Sequence, residues 1–337
     1  MGKEELLNFT SNVSQIGGAR HYTLSDGWSR NLRGIDVNTG SGLQYTIMPD
    51  RGMDLSLASF KGINLVYLTC NGETHPAHYE PEGFGWLRTF AGGLLTTCGL
   101  TYLGAPTIDE GENLGLHGRY STIPARQVAD LSGWVNDAYV IKIKGIVEEG
   151  HFFGPKLRNE RVYTSVLGHN SIIIRDTVTN FGNKPSPFMI LYHINLGYPF
   201  LSEHSELIID PLNTIPVNSA AGTGMKNFRS FIKPVDNYSE QVFCHTLRES
   251  DDGNASVTLN NKKLGISLQI RYNIHELPYL IQWKMLGKGE YVLGLEPSNV
   301  PGKNRKDLRT ENSLPMLQPG ESVTNCIEFI LKEIIKV

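Results

Sequence analysis

The stretch Ser171 to Gly182, SIIIRDTVTNFG, alternates apolar and polar residues and then enters a turn-rich segment, Asn180 to Pro187. Side chains of a strand point to opposite faces in turn, so a period of two marks a strand with one buried face. The same rhythm recurs in LGISLQIRY (Leu264 to Tyr272), where Ile266, Leu268 and Ile270 alternate with Ser267, Gln269 and Arg271. It returns in YVLGLEP (Tyr291 to Pro297) and SVTNCIEFIL (Ser322 to Leu331). The chain's 35 glycines and 17 prolines are spread throughout and bound these runs as turn residues do. Helical periodicity is confined to a short piece around Glu4 to Asn8 and a turn near Arg305 to Asn312. No fixed-period repeat, low-complexity segment or linker interrupts the 337 residues. Many strands without a break predict an all-β chain, a large antiparallel β-sandwich or barrel formed as a single domain over residues 1–337.

Composition narrows the function. Hydrophobic residues make up 40% and charged residues 19%, ordinary values for a globular chain with ample core. A net charge of -3 offers no electrostatic footprint for nucleic acid, and no apolar run is long enough to span a membrane. The N-terminus, MGKEELLNFTSN, carries acids and lacks the apolar centre of a signal peptide, so a cytoplasmic protein is expected. Cys70, Cys98, Cys244 and Cys326 are scattered, form no Cys-x-x-Cys pair and read as free thiols in a reducing compartment. Long strands leave edges that could pair in a homodimer.

Four polar clusters sit in apolar or glycine-rich surroundings. The first, PDRGMDL (Pro49 to Leu55), places Arg51 and Asp54 around Gly52; an ion pair at a strand start and a ligand role weigh equally there. The second runs from GFGWLRTFAGGLLTTCGL (Gly83 to Leu100) to LGLHGRYSTIPAR (Leu114 to Arg126) and holds Arg88, Gly92-Gly93, His117 and Arg119. Glycines beside a cation let backbone and charge approach a ligand closely, although His117 alone would read as a structural histidine. The third is the strand-like LYHINLGYPFL (Leu191 to Leu201), whose His193 and Asn195 share one face and, if buried, need partners. The fourth is LGLEPSNVPG (Leu293 to Gly302), where Glu296 ends an apolar run, a place where an acid is rarely left without a partner or a task.

Known site patterns exclude several chemistries. His-x-Asn stands at 193 to 195 and His-x-His occurs nowhere, so no metal is expected. No Gly-x-Ser-x-Gly elbow and no phosphate-cradling glycine loop is present, so neither a serine hydrolase nor a nucleotide cofactor is expected.

Taken in order, these clusters resemble the galactose mutarotase-like (aldose 1-epimerase) superfamily, over roughly Gly42 to Leu331. RDTVTNFGNKPSPFMILYHINLGYPFL (Arg175 to Leu201) fits the layout in which an apolar strand carries the general acid, here His193. GLEPSNVPG matches the C-terminal segment that carries the general base, here Glu296, and His117-Gly118 resembles the earlier His-Gly. The resemblance implies the superfamily's large β-sandwich, a site on the concave face of one sheet, and cofactor-free interconversion of sugar anomers. Arg88, Arg119 and His117 would then hold sugar hydroxyls, and Asn195 would either orient a neighbour or bind a hydroxyl; Arg51 and Asp54 are further candidate contacts. Trp86 or Trp283 would floor the ring, although core packing is the commoner use of both. Lys284 would meet an acidic or phosphorylated sugar, against the reading of a solvated strand residue. Galactose mutarotases also carry a substrate-holding Asp between the two catalytic residues. QVFCHTL (Gln241 to Leu247) occupies that place with His245 instead, and PDRGMDL is no feature of the well-characterised epimerases, so a divergent branch with its own sugar is implied. A carbohydrate binder without turnover and a metal-dependent sugar isomerase are the competing readings.

Overall fold

The alternation seen in the sequence becomes pleat and burial. In the computed structural model, which describes residues 2–336, strand Ser171–Asn180 buries Ile172, Ile174, Asp176 and Val178 on one face and turns Ile173, Arg175 and Thr177 to the other. It lies inside a nine-stranded sheet. The order there is Gly133–Val135, Ala138–Gly150, Lys156–Val166, Ser171–Asn180, Ser322–Glu333, Ile266–Asn273, Asn254–Asn261 and Ser205–Ile208, with Arg126–Asp130 also paired to Ala138–Gly150. Each neighbouring pair is antiparallel. A six-stranded antiparallel sheet packs against it, in the order Pro211–Pro216, Gln241–Leu247, Tyr279–Leu286, Tyr291–Ser298, Met189–Gly197 and Thr96–Leu100. A five-stranded sheet, from Gly18–Thr23 to Ile63–Asn64, extends the assembly. The architecture is the large antiparallel β-sandwich expected. The helices are few and short among the described residues, and two of them, Lys3–Phe9 and Arg305–Thr310, fall where periodicity placed them.

The main core fills the space between the two large sheets, with Ile172, Ile174, Ile270 and Phe329 from one side and Ile190, Tyr192, Ile194 and Leu295 from the other. A charged cluster is set into this core. Arg161 is wholly buried and donates to both oxygens of Asp176 at 2.8 and 2.6 Å, to Asp54 at 2.8 Å and to the Thr97 hydroxyl at 2.9 Å. The Tyr192 hydroxyl donates to Asp176 at 2.8 Å. Burial pushes the Asp54 carboxyl up to about 6, against the pull of Arg161 and of the Thr97 hydrogen bonds. Arg51 does not pair with Asp54. Its guanidinium donates to the carbonyls of Thr74 and Thr89 at 3.0 and 2.8 Å and so ties down the segment between them. Arg51 and Asp54 of PDRGMDL therefore both have protein partners.

A second, smaller core lies on the outer face of the six-stranded sheet. Trp86, Phe90, Tyr102, Leu103 and Leu114 from the glycine-rich segment, with Val300 and Leu308, cover Met189, Leu191 and Ile281. The strand Met189–Gly197 is thus buried on both faces, which is why its sequence is a nearly unbroken apolar run. Tyr192, Ile194 and Leu196 face the sandwich core, and Leu191 and His193 face the covering loops.

Candidate functional site

Register places the first pair. Strands Met189–Gly197 and Tyr291–Ser298 are antiparallel neighbours with Leu191 opposite Ser298 and Ile194 opposite Leu295, which sets His193 directly across from Glu296. His193 Nε2 lies 3.3 Å from Glu296 Oε1, and both side chains are about 5% exposed (6% and 4%). Gly294, two positions before Glu296 on the same face, has no side chain where the carboxyl folds back: a Cβ there would stand 2.4 Å from Glu296 Oε1. The third polar group arrives on a turn. His117 and Gly118 both take positive φ, 59° and 79°, and a Cβ on Gly118 would meet the Tyr102 carbonyl oxygen at 2.4 Å. That tight turn sets the His117 ring edge-on to His193, with centroids 5.8 Å apart.

These groups line a cavity of about 360 Å³. Trp86 stacks on Phe90 at 4.4 Å and lies 4.8 Å from His117; Trp283 stands 5.5 Å from His193 on the other side. Leu103, Leu116, Leu191 and Ile281 complete an apolar wall, and Glu240 stands in the lining with its carboxylate accepting the Trp283 indole N–H at 2.8 Å. Among the described lining residues there are two carboxyl groups and no lysine or arginine.

Electrostatics follow from burial. His193 and Glu296 are near enough for an ion pair, yet the surroundings disfavour charge on both. Burial pulls His193 down to about 3, with His117 adding to the effect. Burial pulls His117 down to about 4. Burial pushes the Glu296 carboxyl well above the usual carboxylate range, reinforced by Glu240. Charge separation in a desolvated site costs more than a single close contact returns, so burial favours the neutral form of both groups. His193 Nδ1, His117 Nδ1 and Glu296 Oε1 have no hydrogen-bond partner among the described residues, unusual for buried polar atoms.

The other sequence-selected residues lie elsewhere. Asn195 is fully buried beside the cavity, and its amide donates to the carbonyls of Gly93 and His193 at 3.1 and 2.9 Å. Arg88 points outward and pairs with Glu80 at 3.1 Å. Arg119 lines a separate pocket with Glu148 and Glu149. His245 is buried between Thr214 and Gln282, at 2.9 and 3.0 Å. Lys284 is not a solvated strand residue: it is buried, and its ammonium donates to the carbonyls of Asn227 and Ser230, both at 2.8 Å. Arg51 and Asp54 sit in the sandwich as described. Of the ten residues, the structure brings His193, Glu296 and His117 together at the cavity; Trp86 and Trp283 join them as walls. Phe90 and Glu240 were not singled out from sequence. Phe90 reads only as an apolar residue, and Glu240 stands one position before the QVFCHTL stretch in which an acid was sought. Among the described residues, no group of three or more His, Cys, Asp or Glu side chains is placed to hold a metal ion.

Residues 29–331 match the family described as a domain of unknown function, DUF4432. The chain belongs to the DUF4432 family. No curated protein sequence is significantly similar to this DUF4432 chain. Solved structures place its fold. A Klebsiella pneumoniae protein provisionally assigned as an aldose 1-epimerase superposes with a TM-score of 0.90 at 25% identity, over 96% of this chain and 87% of that one. A galactose mutarotase-like protein from Clostridium acetobutylicum gives 0.64 at 13% identity, over 95% and 100% of the two chains. Galactose 1-epimerase from Lactobacillus acidophilus gives 0.61 at 14%, over 94% and 99%. This DUF4432 protein thus has the galactose mutarotase-like fold, in a branch well separated in sequence.

Proposed function

We propose that this chain interconverts the anomers of an uncharged sugar, with Glu296 and His193 as the proton-transfer pair. The observation that carries the reading is the buried cross-strand contact of 3.3 Å between His193 Nε2 and Glu296 Oε1, set in an aromatic-walled cavity. Anomer exchange acts on two oxygens attached to one carbon, the anomeric hydroxyl and the ring oxygen. The groups serving them must therefore be neighbours, each within hydrogen-bond reach of its oxygen.

The proton inventory suits the reaction. The protonated member of the pair gives its proton to the ring oxygen as the C1–O bond breaks. Its partner takes the proton of the anomeric hydroxyl as the carbonyl forms. The single proton of the pair has then changed owner. Rotation about C1–C2 presents the other carbonyl face, and closure runs both transfers backward. With burial favouring a protonated Glu296 and a neutral His193, Glu296 serves as the acid of ring opening and His193 as the base, with the roles reversed on closure. The sequence resemblance assigns the opposite opening sense; one turnover uses both. His117 Nδ1 is placed to meet a hydroxyl, and Trp86 and Trp283 offer faces to the ring C–H groups. Among the described residues no lysine or arginine lines the cavity, which argues for a neutral sugar over a uronate, sulfonate or phosphate.

NMR exchange spectroscopy on a panel of neutral aldoses and uronic acids tests this. Anomeric exchange of at least one neutral aldose is expected above the buffer rate. It should fall by about 10²- to 10⁴-fold in Glu296→Gln and His193→Asn, each a near-isosteric change. Either variant exchanging at the parent rate overturns its residue's role. Binding without exchange in the parent points to a carbohydrate binder. Exchange abolished by a chelator and restored by one equivalent of metal points to the metal-dependent alternative.

A further inference from the structure

We propose that the site continues into a second sugar subsite, so that the ligand is a glycosylated sugar whose reducing ring lies at His193 and Glu296 and whose next ring occupies the adjoining cavity. The inference rests on the reading above for where the reducing ring sits. A second cavity of about 530 Å³ shares Leu87, Phe90, Glu240 and Trp283 with the first. Each cavity alone has the size of a small-ligand pocket, and the pair is larger than one sugar ring needs. Trp283 belongs to both, and its indole N–H is already committed to Glu240 at 2.8 Å, which holds the ring as a fixed partition between them.

The second cavity has the chemistry of a sugar platform. Sugar rings present C–H faces and hydroxyl edges, and side chains with an apolar body and a polar tip match both. Tyr67 and Tyr238 are half-buried in this lining, and neither hydroxyl has a hydrogen-bond partner among the described residues. Asn71 and Glu290 add acceptors, and again no lysine or arginine is among the described residues that line the space. Tyr67 is fixed to the catalytic strand itself: its N–H donates to the Asn195 carbonyl at 3.1 Å, and its own carbonyl accepts from Gly93 N–H at 2.8 Å. The segment carrying it bridges the end of the His193 strand through Val66 opposite Leu196. A platform attached there keeps its position relative to His193, as a subsite for the next ring of one ligand requires.

Saturation-transfer NMR on the full chain with maltose, cellobiose, lactose and melibiose, beside anomeric exchange of the same sugars and of glucose and galactose, tests the proposal. The expected result is saturation of both rings for at least one disaccharide. Tyr238→Ala and Tyr67→Ala should each remove saturation from the non-reducing ring. They should also lower the disaccharide-to-monosaccharide ratio of kcat/KM by roughly two- to tenfold, the range of a lost aromatic contact. Saturation confined to the reducing ring, or no disaccharide bound while a monosaccharide exchanges, overturns the second subsite and leaves the catalytic reading standing. Saturation of both rings without exchange of any sugar supports the subsite and overturns the catalytic reading. Tyr238→Phe, which keeps the face and removes the hydroxyl, separates stacking from hydrogen bonding if the alanine variant folds poorly.

Discussion

Gly294→Ala is the sharpest probe of the site, because it adds one methyl to a strand and leaves both proposed proton-transfer groups chemically intact. The new Cβ would lie 2.4 Å from Glu296 Oε1 and 2.9 Å from Trp283 Cβ, where ordinary contact begins at 3.4 Å. The Trp283 carbon is bound into the backbone and cannot yield much, so the carboxyl must retreat by about 1 Å, a displacement of the size that costs on the order of 100-fold in rate when it separates reacting groups. That is about 2.7 kcal/mol of barrier. The atom that retreats is the one 3.3 Å from His193 Nε2, so the retreat opens the pair directly. The fold should survive. Gly294 is not at positive φ, so alanine suits its backbone dihedral, and the 2.9 Å approach to Trp283 Cβ adds crowding that is set against the gain of about 0.4–1 kcal/mol that an unstrained glycine-to-alanine change makes through the unfolded chain. That gain offsets part of the crowding, and the thermal midpoint should stay within about 4 °C of the parent. NMR exchange on the best neutral sugar and a melting curve on the same sample give both readings. A folded Gly294→Ala protein that exchanges anomers at the parent rate would refute the claim that this carboxyl position is what the reaction needs.

Two further expectations follow from groups outside the cavity. Burial pulls His245 down to about 4, so between pH 6.5 and about 4 the unfolded chain carries a proton there that the folded chain does not, and stability drains away on acidification. His245→Asn removes that proton difference, so the parent-minus-variant unfolding free energy should fall by up to about 1.36 kcal/mol per pH unit across this window; urea titrations giving a constant difference would overturn it. Lys284→Met should leave the carbonyls of Asn227 and Ser230 unpaired and cost about 1–3 kcal/mol in urea unfolding, with anomer exchange unaltered; a raised KM at unchanged stability would instead put the ammonium in contact with sugar.

How much could be read from the sequence depended on whether a feature was local. Period-two alternation in SIIIRDTVTNFG and LGISLQIRY is a property of a few consecutive residues, and both became strands with the expected faces buried. The two polar residues of greatest interest, His193 and Glu296, each stand out because they interrupt an apolar run. Arg88, Arg119, His245 and Lys284 also stood near glycines or apolar runs, but what each meets is decided by segments far away in sequence. Lys284 meets carbonyls 54 and 57 positions earlier, and Arg88 turns out toward Glu80. Glu240 was hidden for a complementary reason. It sits in a polar loop, where one more acid carries no signal, and only the distant Trp283 indole reveals its place.

Arg161 shows the same dependence from the other side of the sheet. Nothing in KLRNERVYTSV marks that arginine as buried, yet it binds Asp54, Asp176 and Thr97 at once, and Asp176 in turn accepts from Tyr192. Tyr192 and Thr97 lie on the two adjacent strands behind the cavity, and each is the chain neighbour of a residue on the opposite face, His193 and Thr96, which stand across from one another. Apolar packing alone is non-directional and tolerates small slips between sheets. A fork of charge-assisted hydrogen bonds does not, because its donors have fixed angles and an unpaired member costs several kcal/mol in a dry core. The cluster therefore fixes the position of the His193 strand from behind, while Gly294 and the covering aromatics shape the space in front. The proposed proton-transfer pair, whose function would be lost over about 1 Å, needs both kinds of restraint.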